Sequence, residues 1–240
     1  MRKILLIKMG DTFPGLKALQ GDFEDMISNC LSDIHVEISV YDARTDFPQP
    51  QLSEFQGVIV TGSHSMVTAC EPWSEALLPY ISEMQQQQIP VFGICYGHQL
   101  IAKALGGEVG FHPLGPEPGT VDVSLTTAGK EDSLLGLAPT VFPVNVAHSQ
   151  TVTKLPPGAT LLAANSFEPH QAFRLGNIWA VQFHPEFTRE ITQYYIDEIA
   201  DDIRKFSGDP QKIRSACTDT AASRELLIAF VEQSCTVEAA

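Results

Sequence analysis

A cysteine between two glycines is the feature of this 240-residue chain that is best suited to covalent chemistry. The segment around it reads Phe92-Gly93-Ile94-Cys95-Tyr96-Gly97-His98-Gln99 and joins an apolar run to a predicted helix. A G-x-C-x-G pattern at such a junction is the thiol form of the nucleophile elbow, in which the glycines prevent clashes at a sharp turn. The N-terminus of the following helix favours a thiolate at Cys95. We therefore predict that Cys95 is a nucleophile, the alternative being a buried cysteine between packing glycines.

A thiol nucleophile needs a base beside it, and the base needs a third group that fixes its tautomer. His184 is followed by Pro185 and Glu186, so the imidazole and the carboxylate can be held on one side of a rigid turn. We predict that His184 is the base and that Glu186 accepts its ring N–H, although a surface turn would show the same pattern. His148 is the rival base, and its position between two strand-like stretches favours a loop that lines a pocket.

The remaining cysteines predict neither a disulfide framework nor a metal site. The chain has five cysteines at wide spacings, and no C-x-x-C pair occurs. In a reducing compartment such residues are buried small apolar groups or surface thiols. We therefore expect no metal site, and we assign no function to Cys30, Cys70, Cys217 and Cys235.

The first half of the chain alternates between strand and helix patterns, and these elements must position the reactive groups. The predicted strands are residues 3–9, 36–41, 57–60 and 90–94. The predicted helices are residues 16–31, 72–88 and 97–105. This order predicts an α/β fold, with an open, mostly parallel sheet and helices on both faces. Sites in such sheets form beyond the carboxyl ends of the strands, where both Cys95 and Thr61-Gly62-Ser63 fall.

The second half of the chain has a different character, with more Val, Thr, Pro and Gly. It predicts short antiparallel strands, which we place within residues 119–152, 159–165, 171–175 and 178–183. Closing helices are predicted at 190–206 and 224–231, and a polar loop at 207–222. We expect a small antiparallel sheet and a single domain over residues 1–240, with the motifs in 4–187 and helical closure in 188–240.

The composition restricts the class of partner. Hydrophobic residues make up 44% of the chain and charged residues 18%, which is typical of a globular protein. The net charge of −14 opposes binding to phosphate backbones, so we expect no nucleic-acid partner. No apolar run has transmembrane length, and the short run after Lys3 is followed at once by Lys8, which favours a first strand over a signal peptide. We therefore expect no membrane partner and a cytoplasmic location.

Several motifs occur in an order that resembles the class I (triad) glutamine amidotransferases, and most of all the glutaminase domain of GMP synthase and its stand-alone relatives. The likeness covers residues 4–187. Besides the segments around Cys95 and His184, it rests on Glu117-Pro118-Gly119-Thr120-Val121, Ala147-His148-Ser149-Gln150-Thr151-Val152, Leu155-Pro156-Pro157-Gly158-Ala159 and Gln171-Ala172-Phe173-Arg174. The resemblance implies a flavodoxin-like fold with a small antiparallel sheet and no cofactor.

The resemblance also implies roles for residues at matching positions. Cys95 would attack the side-chain amide carbon of glutamine, while His184, oriented by Glu186, would protonate the departing ammonia and then activate water. The oxyanion would be bound by the backbone N–H of Tyr96 and by one from the Gly62 loop. The implied substrate-binding residues are Gln99, His148, Ser149 and Gln150.

Two positions depart from the family's pattern. The family usually has a Gly-Gly-Pro loop after the third strand, where this chain has Thr61-Gly62-Ser63. It also commonly has His-x-Asp, where this chain has His148-Ser149-Gln150, so a neutral amide replaces a carboxylate. The first departure leaves open which residue completes the oxyanion hole. The second leaves open how a substrate amino group is bound.

Three functions are compatible with this sequence. The first is a glutaminase that converts L-glutamine to glutamate and ammonia and supplies the ammonia to a separate synthase, because the chain contains neither the Ser-Gly-Gly-x-Asp-Ser phosphate loop of GMP synthases nor a Walker loop. The second is a γ-glutamyl peptide or conjugate hydrolase that uses the same three residues. The third is a binding or regulatory module without activity. The sequence leaves the oligomeric state open.

Overall fold

Strands and helices alternate in the computed structural model, which describes residues 2–46 and 48–234. In chain order the strands are β1 (Arg2–Lys8), β2 (Val36–Asp42), β3 (Gly57–Val60), β4 (Val91–Ile94), β5 (Glu108–Phe111), β6 (Glu117–Leu125), β7 (Val141–His148), β8 (Gln150–Lys154), β9 (Thr160–Ala164), β10 (Ala172–Leu175) and β11 (Ile178–Val181). The helices are α1 (Pro14–Gln20), α2 (Phe23–Cys30), α3 (Pro72–Glu75), α4 (Leu78–Gln86), α5 (Tyr96–Ala104), α6 (Thr127–Glu131), α7 (Arg189–Glu198), α8 (Ala200–Lys205), α9 (Pro210–Ser215) and α10 (Ala221–Ser234). Cys235 lies outside the described residues.

The strands form one large sheet and one small sheet. The strand order in the large sheet is β2-β1-β3-β4-β11-β10-β9-β6-β7. The pairs from β2 through β11 are parallel, and those from β11 through β7 are antiparallel. Strands β5 and β8 pair in the separate antiparallel sheet. The predicted α/β class is confirmed, and most strands of the second half extend the main sheet rather than form a sheet of their own.

Apolar side chains alternate between the two faces of the parallel strands, so each face has its own core. In β1, Ile4 and Leu6 pack in a cluster with residues of α2 and α10, whereas Leu5 and Ile7 pack in another cluster with residues of α4 and α5. This period-two alternation is what a sheet covered by helices on both faces requires. The prediction of helices on both faces is therefore confirmed.

Parallel pairing brings three segments to the same edge of the sheet. Val60 of β3 is paired with Gly93 of β4, and Val181 of β11 is paired with Ile94 of β4. The residues that follow these strands therefore leave the sheet at one level, as expected for parallel strands that end in register. Gly62, Cys95 and the segment that contains His184 lie at this edge.

Several predicted helices are divided in the structure, and local sequence explains where. The predicted helix 16–31 is interrupted at Gly21, which has φ 83°, and α2 then begins at a capping box formed by Asp22 and Asp25. The predicted helix 72–88 is divided because Pro79, which has no N–H to donate, favours a new first turn. The predicted helix 190–206 is divided at Ile199.

The prediction of a polar loop over 207–222 is wrong. Helix α9 lies within it and begins after Asp209, whose carboxylate accepts hydrogen bonds from the backbone N–H groups of Gln211 and Lys212. An aspartate followed by proline is a good N-cap and first helical residue, so the same Asp209-Pro210 pair that indicated a loop also permits a helix start. None of the helices in the described part of the chain has the length and apolar character needed to cross a membrane.

A buried lysine at the end of β1 is surrounded by carboxylates. The Nζ atom of Lys8 lies 2.8 Å from Asp22, 2.6 Å from Glu24 and 2.9 Å from Asp11. Asp22 has no exposed surface, so removal of the lysine would leave a buried carboxylate with fewer cationic partners. We expect Lys8→Met to lower the free energy of unfolding by about 3 kcal/mol, which can be measured by urea denaturation.

A matched control for this prediction is the exposed ion pair between Lys154 and Glu108, at 3.0 Å. Both side chains are largely in solvent, so Lys154→Met should change the free energy of unfolding by less than about 1 kcal/mol. Equal effects of the two substitutions would contradict the importance of burial at Lys8.

Candidate active site

Cys95 occupies a strained turn between β4 and α5. Its φ of 51° and ψ of −100° are unusual for a residue with a side chain, and it is the N-cap of α5. Its backbone N–H donates to the carbonyl of Val181, 2.9 Å away in β11. A Cβ added to Gly97 would lie 2.6 Å from the carbonyl oxygen of Val60, so a side chain there would push β3 and α5 apart. The local geometry agrees with the predicted elbow.

His184 and Glu186 form a buried pair just after β11. The Nδ1 atom of His184 lies 2.7 Å from Oε1 of Glu186, and each residue is only 2% exposed. The backbone N–H of His184 donates to the carbonyl of Asn145 at 2.8 Å, which fixes the segment against β7. The imidazole also stacks on Phe187, with 3.9 Å between ring centroids. Because Nδ1 is engaged by the carboxylate, Nε2 remains for the thiol.

The charges around His184 favour its protonated form. Burial alone would lower the pKa of His184, but the negative charges of Glu186 and Cys95, with the hydrogen bonds to both, outweigh burial and raise the pKa to about 10. Near neutral pH the ring is therefore an imidazolium, which interacts with the Cys95 side chain and with the Glu186 carboxylate. Such a pair combines a strong nucleophile with a proton donor for a leaving group.

Two segments that could stabilise an oxyanion flank Cys95. Tyr96 opens α5, and the first N–H groups of a helix have no partner within the helix. A Cβ added to Gly62 would lie 2.9 Å from Cε1 of His184, so the backbone at this position passes directly beside the imidazole. The Gly62 backbone thus lies beside His184, and the start of α5 directly follows Cys95 in the chain.

A pocket of about 250 Å³ opens in front of Cys95. Of the residues predicted for the site, it is lined by Cys95, Tyr96, Gln99, His148, Ser149 and Gln150. Gly62, His184 and Glu186 are not part of its wall. A larger cavity of about 370 Å³ lies on the far side of Glu186 and does not include Cys95 among its lining residues. Six of the predicted residues are therefore brought together in one pocket, and the buried His184–Glu186 pair is coupled to it through Cys95.

The amide side chains of the pocket are held by protein groups. Gln99 donates through Nε2 to the carbonyl of Gln150 and to Oε1 of Gln182, each at 2.9 Å. The side chain of Gln150 donates to Oγ1 of Thr68 at 2.5 Å, and the Thr68 N–H lies 3.4 Å from its Oε1. The Gln150 amide is thus engaged by Thr68, which differs from the direct contact with a substrate amino group that the family's aspartate at this position implies.

The rival base His148 belongs to a second buried pair. Its Nε2 lies 2.9 Å from Oε2 of Glu117, and its Nδ1 lies 2.9 Å from the carbonyl of Gln150. Glu117 also accepts hydrogen bonds from Asn165 and Gln171. Because both ring nitrogens of His148 already face acceptors, neither is left to take a proton from a thiol. The geometry therefore favours His184 as the base and gives His148 a part in holding the pocket wall.

The pocket wall also includes residues that the sequence motifs did not indicate as site residues, among them Phe13, His64, Tyr195 and Asp202. His64 lies two residues after Gly62, and its Nε2 is 3.0 Å from the hydroxyl of Tyr195. Burial, together with the charge of His184, lowers the pKa of His64, so this ring is neutral at neutral pH. Closeness to the oxyanion glycine was the available signal for His64, whereas nothing local marked the residues on α7 and α8.

The pocket wall includes His, Cys and Asp side chains, but their arrangement is not that of a metal site. Over residues 2–46 and 48–234, no group of three or more His, Cys, Asp and Glu side chains is arranged to hold a metal ion.

The pKa of His184 provides a direct check of the site's electrostatics. Folding raises this pKa above its usual 6.5, so the stability that it contributes is complete below pH 6.5 and is lost as pH rises through about 10. We expect Cys95→Ala, which removes one of the two negative charges, to lower the pKa and move this loss to lower pH. An NMR titration of the His184 imidazole in both proteins measures the difference, and identical titration curves would contradict the coupling to Cys95.

The fold and the pocket are those of an α/β protein with a cysteine at its strand-to-helix elbow. The model of the family "Glutamine amidotransferase class-I" matches residues 19–199, and the chain belongs to this family. A glutamine amidotransferase of known structure from Thermotoga maritima superposes with a TM-score of 0.78, covering 98% of this chain and 99% of that one. At 21% identity, this likeness shows the fold alone.

Curated relatives differ in their activities. The chain is 33% identical over 196 residues to the glutamine-hydrolysing GMP synthase of Aeropyrum pernix, a match that covers 81% of this chain and 36% of that protein. It is 32% identical over 170 residues to one subunit of the glutamine-hydrolysing GMP synthase of Archaeoglobus fulgidus, covering 69% of this chain and 84% of that protein. It is 30% identical over 158 residues to γ-glutamyl peptidase 4 of Arabidopsis thaliana, covering 64% and 63%. Membership of the family therefore leaves the particular substrate open.

Proposed function

We propose that this chain hydrolyses the side-chain amide of L-glutamine to glutamate and ammonia through a thioester on Cys95. One observation carries the proposal: a cysteine in a strained elbow faces a buried His184–Glu186 pair whose Nδ1–Oε1 distance is 2.7 Å. A carboxamide is a poor electrophile with a poor leaving group, so its cleavage requires both a thiolate and a proton donor. The coupled His184 and Cys95 supply both.

The proposed reaction has two halves. In the first, Sγ of Cys95 bonds to the amide carbon, and the carbonyl oxygen becomes an oxyanion held by N–H groups of Tyr96 and the Gly62 loop. Collapse breaks the C–N bond while His184 gives its proton to the nitrogen, which leaves as ammonia. In the second, His184 takes a proton from water, whose oxygen bonds to the thioester carbon. The C–S bond then breaks, which releases glutamate and returns the thiolate with a protonated His184.

In the proposed reaction, Glu186 supports His184 as a proton donor in the first half and as a base in the second. Its carboxylate accepts the Nδ1–H, which fixes the tautomer and stabilises the imidazolium that alternates with the neutral ring. We further propose that the ammonia passes to a separate synthase. The relative from Archaeoglobus fulgidus supports this because it is itself one subunit of a GMP synthase.

Hydrolysis of γ-glutamyl peptides or conjugates is the second candidate function. It uses the same attack, because a γ-glutamyl peptide presents the same carbonyl with an amine in place of ammonia as the leaving group. Phe13, Tyr195 and Ile199 line the pocket with aromatic and aliphatic surface that could contact such an amine. The similarity to a γ-glutamyl peptidase also supports this candidate.

Two measurements test the proposal. The first is labelling with a diazoketone analogue of glutamine, with the adduct located by peptide mass spectrometry. A single adduct on Cys95 that excess glutamine prevents is the expected result, and labelling scattered over the other cysteines would overturn the proposal. The second compares kcat/KM for L-glutamine with kcat/KM for γ-glutamyl dipeptides. A larger value for the dipeptides would favour the peptidase candidate.

A further inference from the structure

A γ-glutamyl substrate carries an α-ammonium group that needs an anionic or carbonyl partner in the pocket. Gln150 occupies the position where the family has a carboxylate, but its amide group is engaged with Thr68. Glu117, the carboxylate behind His148, is occupied by His148, Asn165 and Gln171 and does not line the pocket. The partner of the ammonium group must therefore come from elsewhere in the fold.

Asp202 is the single carboxylate among the described residues that line the pocket, and no lysine or arginine of the described chain lines it. It lies on α8, and it shares the pocket wall with Ser149 and Pro116. Ser149 belongs to the segment His148-Ser149-Gln150, which the family resemblance assigns to substrate binding. The wall of this pocket therefore includes one carboxylate, and that carboxylate is mostly exposed.

Packing on both sides fixes the position of α8 relative to the pocket. Ile203, the residue after Asp202, is 2% exposed and belongs to an apolar cluster with Ile196 and Cys217. Just beyond α8, the ring of Phe206 fills the space where a Cβ of Gly115 would lie. Since Gly115 precedes Pro116 of the pocket wall, the end of α8 is held against the loop that it faces. Asp202 is thus presented by an anchored element.

We infer that Asp202 is a specificity-determining residue that binds the α-ammonium group of the γ-glutamyl substrate. The inference rests on the proposed function and names the group that this site selects. Hydrogen-bonded ion pairs between an ammonium and a carboxylate are favourable when the pocket excludes part of the water. Asp202 belongs to α8, outside the motif-bearing region 4–187. In this inference it serves in place of the acid that residue 150 lacks.

The substrate would compete with a weak partner in the free protein. Oδ1 of Asp202 lies 2.7 Å from Nζ of Lys205, and both side chains are mostly exposed. Exposed ion pairs of this kind contribute little to stability, so the lysine can yield to a substrate ammonium group at small cost. Lys205 consequently weakens substrate binding, and its removal should strengthen it.

The test is Asp202→Asn, with Asp201→Asn as the matched control. Asp201 is the preceding residue of the same helix, is mostly exposed, pairs with Arg204 and does not line the pocket. For L-glutamine, we expect Asp202→Asn to raise KM about tenfold with little change in kcat, and Asp201→Asn to leave both unchanged. For glutaramate, which lacks the α-amino group, Asp202→Asn should leave KM unchanged.

A second variant gives an effect of opposite sign. Lys205→Gln should lower KM for L-glutamine by about threefold, because Asp202 then has no competing cation. Thermal unfolding of each variant establishes that the fold is retained. If the wild-type protein turns over neither L-glutamine nor γ-glutamyl dipeptides, the proposed function fails. If the wild-type protein is active and Asp202→Asn matches Asp201→Asn, or raises KM equally for glutaramate, the inference about Asp202 is wrong.

Discussion

Alanine in place of Cys95 is expected to reduce turnover of the preferred γ-glutamyl substrate by at least about 10⁴-fold. The substitution removes the only atom that can form the thioester in the proposed reaction, while His184 and Glu186 keep their hydrogen bond. The variant keeps substrate binding and oxyanion stabilisation. These accelerate direct attack by water on the amide, but by a much smaller factor than covalent catalysis does. Ammonia or amine release, measured at saturating substrate, gives the ratio.

The control is Cys217→Ala. Cys217 is 4% exposed, packs in the apolar cluster with Ile196 and Ile203, and burial raises the pKa of its thiol. It is thus a cysteine of similar burial without the electrostatic setting of the elbow. We expect Cys217→Ala to retain turnover and labelling by the diazoketone. Substantial turnover by Cys95→Ala, or its labelling at the same rate as the wild-type protein, would exclude covalent catalysis by Cys95.

The parts of the site that depend on local sequence could be predicted. The elbow requires a glycine at position 97. The segment Cys95-Tyr96-Gly97 shows this requirement directly in the sequence. The pairing of His184 with Glu186 spans only two residues. Their convergence on one edge depends on the parallel order of β3, β4 and β11. The alternation of strands and helices predicts this order for β3 and β4, whereas the sequence placed β11 among the antiparallel strands, which is wrong for its pairing with β4.

The parts that depend on distant contacts could not be predicted. Gln150 and Thr68 are 82 residues apart, and their hydrogen bond engages the Gln150 amide group that would otherwise be free to contact a substrate. The carboxylate partner of His148 is Glu117, which lies 31 residues earlier in the chain. The two residues meet through the pairing of β6 with β7, and no local sequence pattern specifies the register of that pair. Asp202 reaches the pocket only because α8 packs against the loop before β6. A surface-like Asp-Asp pair in a helix gives no signal of such a position.

Glutamine in place of Glu186 is expected to lower kcat by about 10³-fold with a smaller change in KM. Oε1 of Glu186 accepts the Nδ1–H of His184 at 2.7 Å, and the negative charge of the carboxylate is one cause of the raised pKa of His184. A neutral amide keeps the size of the side chain but stabilises the imidazolium far less. The pKa of His184 should fall with kcat, which an NMR titration of the variant can follow. Glu190→Gln, on the exposed first turn of α7, removes an equal charge without a contact to His184 and should leave kcat unchanged.

The two buried histidine–glutamate pairs make this prediction decisive for the choice of base. In the wild-type protein, Glu117 holds His148 at 2.9 Å much as Glu186 holds His184 at 2.7 Å. The pairs differ because the second nitrogen of His148 faces the carbonyl of Gln150, whereas His184 is coupled to Cys95. Loss of Glu117 should therefore act mainly on KM, through the pocket wall, and loss of Glu186 mainly on kcat. A larger fall in kcat for Glu117→Gln than for Glu186→Gln would identify His148 as the base and overturn the assignment of His184.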